Sequence, residues 1–137
     1  MPIHYRLDED SGVVITEIED QITVEEITQL FNSAVADPDV GLRRDSLVDL
    51  RKAGPLGLTI TDIDFVANMS KSAGSKSTTK IAFVSEHETN VGLCTQFQDF
   101  SNGANEVQIF TDYDEAWSWL VSGRSRGRNS TVVAAYG

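Results

Sequence analysis

Hydroxyls and carboxylates gather where an apolar strand runs into a helix: Asp49 and Arg51 close the strand, Gly54-Pro55 breaks the chain, and Thr59, Thr61, Asp62 and Asp64 follow. In an open α/β sheet such a turn lies at the carboxyl ends of the strands, where these folds place their ligands. Two kinds of chemistry suit the residue types. Phosphorylation of Thr59 or Thr61 would set an anion against the free amides of a helix N-terminus and change a docking surface. The same charged rim would also meet a protein partner directly. Asp62 and Asp64 place like charge beside any added phosphate, and N-capping accounts for both hydroxyls more simply.

Other constellations are fragments. Asp112, Asp114 and Glu115 sit in a first helical turn, where the helix dipole favours negative charge. Lys76-Ser77 after Gly74 ends like a phosphate-binding loop but lacks the upstream glycine and the strand that should lead into it. Asp8, Asp10 and Gly12 echo a calcium loop without its length or its terminal glutamate, and read as a turn. His4 and His87 are remote from each other, and neither stands at a ligand spacing from Cys94, so no metal and no cofactor is expected. Cys94 itself reads as a small buried hydrophobe, because nothing near it would stabilise a thiolate. With no nucleophile paired to a base, and with the carboxylates explained as caps, the expectation is a protein that is not an enzyme.

The elements that must position these residues follow from periodicity and punctuation. Residues 3–7 and 12–18 alternate or are β-branched around an Asp, Ser and Gly turn, which predicts a hairpin. Thr23 and Glu26 form a capping box, after which Val24, Ile27, Leu30, Phe31 and Ala34 make one buried stripe, up to Asp37-Pro38. Residues 46–50 are the next strand. A second helix is expected to be capped by Thr61 with Asp64, to bury Ile63, Val66 and Ala67, and to end before a Ser, Lys and Gly loop at 71–79. Residues 80–85 form a compact apolar strand, 88–100 a helix burying Val91, Cys94 and Phe97, and 106–110 another strand. Thr111 with Asp114 caps a last helix whose stripe is Tyr113, Ala116, Trp117 and Leu120, with Gly123 at its end.

The order is therefore ββαβαβαβα. It predicts an α/β fold with a mixed five-stranded sheet, the first strand antiparallel and the remainder parallel, and four helices covering it. Residues 1–123 read as one domain and 124–137 as a basic, then apolar, C-terminal tail. Its segment 131–136 has the composition of a further edge strand.

Charge bounds the partners. The 137 residues carry a net charge of minus ten, and residues 1–123 alone, with eight basic and twenty-one acidic side chains, carry minus thirteen. That balance argues against nucleic acid, whose affinity comes from Lys and Arg displacing counterions. Arg124, Arg126 and Arg128 in the tail suit an acidic surface such as a second copy of the chain, so a homodimer is expected. No apolar run approaches the roughly 18 residues of a membrane span. MPIHYRLDED lacks the order of a secretory signal and a lone cysteine forms no internal disulfide, which together point to the cytoplasm. The glycosylation patterns at Asn68 and Asn129 have no meaning there.

Several segments in order resemble the SpoIIAA-like group of STAS-related bacterial proteins: VDLR at 48–51, the apolar strand at 81–84, Gly92-Leu93, and VQIFTDYDEAWSWL at 107–120. The likeness spans most of residues 3–121. It implies a fold shared with anti-sigma-factor antagonists and with lipid carriers of the CRAL-TRIO type. Antagonists carry a serine in an Asp-Ser type turn after the strand matching 47–50. Here LRKAGPLGLTITD stands instead, with Thr59 or Thr61 as the nearest substitutes. The antagonist likeness implies a regulatory, protein-binding module acting through Asp49, Arg51, Thr59, Thr61, Asp62 and Asp64. The carrier likeness implies a lipid or other apolar ligand in a pocket between helices and sheet, walled by Phe65, Met69, Phe97 and Trp117, residues that core packing also explains.

Overall fold

Asp8, Ser11 and Gly12 make the first turn: the Asp8 carboxylate accepts from the Ser11 hydroxyl at 2.6 Å, and the Gly12 amide donates to the Asp8 carbonyl at 2.7 Å. Gly12 has φ of 76°, a left-handed conformation that costs a glycine little. The turn joins strands β1 (Ile3–Asp8) and β2 (Val13–Ile18), which pair antiparallel with Ile3 opposite Ile18. A computed structural model describes residues 3–38, 45–72, 79–101 and 105–122. Lys76-Ser77, Gly123 and the tail 124–137, with its expected edge strand, lie outside the described residues.

Helix α1 (Val24–Ala36) starts on the expected capping box, with the Glu26 amide donating to Thr23 Oγ1 at 3.1 Å and the Thr23 amide to Glu26 Oε1 at 2.9 Å. β3 (Ser46–Asp49), α2 (Ile60–Ser72), β4 (Thr79–Val84), α3 (Glu88–Phe100), β5 (Asn105–Phe110) and α4 (Tyr113–Ser122) follow. The sheet is five-stranded in the order β1-β2-β3-β4-β5, and every pair after the first is parallel.

Sequential parallel order has a geometric consequence. Each right-handed crossover leaves the sheet on the same side, so α1, α2 and α3 share one face with Ile3, Ile18 and Val107. α4 follows the last strand with no further crossover and covers the other face, packing on Val13, Ile15, Leu47, Ala82 and Val84. There the core is closed: Val13, Leu47, Ala82, Val84, Ala116 and Leu120 are all fully buried.

Four local expectations are corrected. The α1 stripe of Val24, Ile27, Leu30, Phe31 and Ala34 is only half-buried, and α1 buries no residue completely, because it stands over a cavity rather than on the sheet. α2 is capped two residues earlier than Thr61 and Asp64: the Asp62 amide donates to Thr59 Oγ1 at 3.1 Å, and the Thr59 amide donates to Asp62 Oδ2 at 2.9 Å. α4 is capped by Asp112 rather than Thr111, with the Asp114 amide donating to Asp112 Oδ1 at 2.8 Å. On α3, Val91 is half-buried while Asn90 is fully buried. In the first three cases spacing locates the helix but packing and side-chain reach choose the residue.

Candidate functional site

Asp49 ends β3 on the α4 side of the sheet. Arg51 reaches back to it bidentately, Nε to Oδ1 at 2.9 Å and Nη2 to Oδ2 at 2.8 Å, and the Arg51 amide adds a third bond to Oδ1 at 3.0 Å. The guanidinium then lies 4.7 Å from the centre of the Tyr113 ring, so the pair pins the first turn of α4 to the strand end. Burial pushes the Asp49 carboxyl up, yet the hydrogen bonds and charge of Arg51, with the charge of Lys52, outweigh it and hold the group below its usual value. The bond to Asp49 likewise raises Arg51 against the effect of its burial. Both side chains are committed to each other.

The rest of the 49–64 stretch turns away. A fully buried Asn90 holds it from α3, accepting from the Leu56 amide at 3.1 Å and donating to the Gly54 carbonyl at 2.9 Å. Thr59 and Asp62 are occupied as the α2 cap, Thr61 and Asp64 are exposed, and Asp64 accepts from Asn68 Nδ2 at 3.5 Å. Asp62 and Phe65 border a shallow groove with Val24 and Thr28 of α1, beneath the helical face. The six residues expected to form one contact surface therefore divide, Asp49 and Arg51 with α4 and the others with α2.

A second feature lies between the helical layer and the sheet, a cavity of about 240 Å³. Its floor is Ile18, Val48, Ile81 and Phe83, its roof Leu30 and Phe31 of α1 with Val66 and Met69 of α2, and its far wall Cys94 and Phe97 of α3. Of the four residues expected to wall a pocket, Met69 and Phe97 line this cavity. Phe65 and Trp117 do not: Phe65 is 51% exposed on the outer side of α2, and Trp117 belongs to α4 on the opposite face of the sheet. A helical stripe says which side of a helix is apolar, not which face of the sheet that helix covers. Burial pushes the Cys94 thiol up to about 12, so it lines the cavity as an inert apolar group.

Asn90 was not singled out from the sequence. It shares its helix face with Cys94 and Phe97, four and seven residues on, and a polar side chain in an otherwise apolar stripe is the signal that marks it.

The profile of the SpoIIAA-like family matches residues 13–121, from β2 to within α4. The chain belongs to the SpoIIAA-like family. Among solved structures, an uncharacterized protein from the DUF3478 family with a SpoIIAA-like fold, from Shewanella loihica PV-4, resembles it with a TM-score of 0.57. That likeness covers 86% of this chain and 91% of the other at 19% identity, and is a likeness of fold. Comparison with curated proteins gives no match.

In this SpoIIAA-like domain the chemistry available at the two places differs. The Asp49–Arg51–Tyr113 pin has its charges mutually satisfied and holds an element in place. The cavity offers apolar surface for a guest of small-molecule size. Among the described residues no group of three or more His, Cys, Asp or Glu is placed to hold a metal ion, and no helix is long and apolar enough to cross a membrane.

Proposed function

We propose that this SpoIIAA-like domain is a non-enzymatic carrier or sensor of a small apolar molecule held between α1–α3 and the sheet. The cavity supports the reading by its size. An apolar cavity of about 150 Å³ already takes a benzene-sized guest in a protein core, and this one is about 240 Å³. Native mass spectrometry of protein purified without detergent tests the reading: a defined added mass upholds it. Ligand-free protein that also gains no thermal stability from any apolar probe refutes it.

Protein contact through the start of α2 is the second reading, favoured by Ile60 and Phe65, which are 58% and 51% exposed beside the Thr59 cap. Such side chains in the open are what a partner surface buries. Phe65→Glu, which leaves the Thr59–Asp62 box intact, should abolish partner capture; capture that survives it removes α2 as the contact. The same native spectrum reads subunit number, which tests the expected homodimer.

A further inference from the structure

The cavity is not apolar throughout, and where its polar groups lie names the class of molecule it suits. The first residues of β3, β4 and β5 are Ser46, Thr79 and Asn105, and all three line the cavity at the amino ends of the parallel strands, with Ser70 of α2 beside them, while one more hydroxyl residue, Thr16 of β2, lies farther along the sheet face opposite Val48. The opposite end, at Leu50, Leu56 and Ile22, is hydrocarbon.

A directed hydrogen-bond chain runs through the polar end. The Thr79 hydroxyl donates to Asn105 Oδ1 at 2.8 Å, and Asn105 Nδ2 donates to Ser70 Oγ at 3.1 Å. Thr79 and Asn105 are 8% and 7% exposed, so water contributes little to their satisfaction. Ser70 Oγ accepts in this chain, and its own proton is therefore what the chain offers onward. Each donor polarises the next, which strengthens the terminal hydroxyl as a donor.

Among the described residues, no Lys, Arg, His, Asp or Glu lines the cavity. A carboxylate, phosphate or ammonium head would lose water on entering and meet no counter-charge among those residues. A bare hydrocarbon would make no hydrogen bond with these polar groups.

Resting on the carrier reading, we infer that the ligand is a neutral amphiphile: an alkyl body along the sheet face and one uncharged oxygen that accepts from Ser70. It lies head toward the amino ends of the strands, at the end of the sheet remote from the Asp49 to Asp64 turn.

The test uses the full chain with octanol, octane and octanoate as probes at pH 8, each displacing a fluorescent apolar dye. Octanol and octane should bind, and octanoate should bind at least about a hundredfold more weakly than octanol. Ser70→Ala, which favours the helix and should fold, should weaken octanol about fivefold, the value of one neutral hydrogen bond, and leave octane unchanged. Equal losses for both probes, an unaltered octanol affinity, or octanoate binding as tightly as octanol would overturn the polar-end assignment while the carrier reading stands. Failure of octane and octanol alike to bind would bring down both.

Discussion

One helix closes the α4 face of the sheet more tightly than three helices close the other. Ala116 and Leu120 meet Val13, Leu47, Ala82 and Val84 with no surface left exposed, and the small Ala116 side chain lets α4 approach the strands closely. Across the sheet α1 buries nothing completely, and Leu30 and Phe31 roof a cavity instead of filling it. The tight face is also where charge is spent on fixation, through Asp49, Arg51 and Tyr113. Rigidity and room are thus divided between the two faces of one sheet.

That contrast is easiest to break with paired truncations. Leu120→Ala should cost about 3 kcal/mol, since it opens a hole in a closed core. Leu30→Ala should cost only about 1 kcal/mol, because its side chain is half-exposed and already borders a cavity. Urea denaturation reads both, and equal losses would mean that the two faces are packed alike.

Enlarging side chains sharpens the comparison with the opposite sign. Ala116→Leu has no space to occupy and should destabilise by about 2 kcal/mol. Val66→Phe, on the cavity roof, should stay within about 0.5 kcal/mol of the parent or stabilise it, and should lower octane affinity at least tenfold by filling the guest's space. A large destabilisation by Val66→Phe would show the cavity to be narrower than its lining implies.

A further contrast concerns the pin. Asp49 titrates below its usual value in the folded protein, so its contribution is complete above the ordinary aspartate value of about 3.9 and is lost as pH falls through the lower folded value. Asp49→Asn should cost about 1 kcal/mol at pH 7, the modest worth of a pair whose arginine is largely solvated. It should also flatten stability against pH in that acid window. Urea midpoints from pH 2 to 7 check both, and an acid limb as steep as the parent's would mean that Asp49 is not the group responsible.

Much of the candidate site was legible as elements and little of it as a place. Met69 and Phe97 were foreseen as pocket walls because each lies on the apolar side of its helix. Trp117 meets the same criterion but its helix covers the other face of the sheet, while Phe65 lies on the outer side of α2. The hydroxyls and carboxylates of 49–64 drew attention by their density, but Asp49 and Thr59 end up in separate hydrogen-bond networks. Ser70, Thr79 and Asn105 drew none, being ordinary polar residues 9 and 26 positions apart in turn that only strand pairing brings within hydrogen-bond reach.

Local interactions settled the element order, the antiparallel first strand, the α1 capping box and the hairpin turn. Each depends on residues within about four positions of one another, whose hydrogen bonds and apolar spacing are present in the linear text. Tertiary structure alone decided the sequential strand order, and with it the placing of three helices on one face and α4 on the other. Those outcomes rest on pairings between distant segments, and they made a pin of one aspartate, a roof of one helix, and a polar end to the cavity from the first residues of three strands.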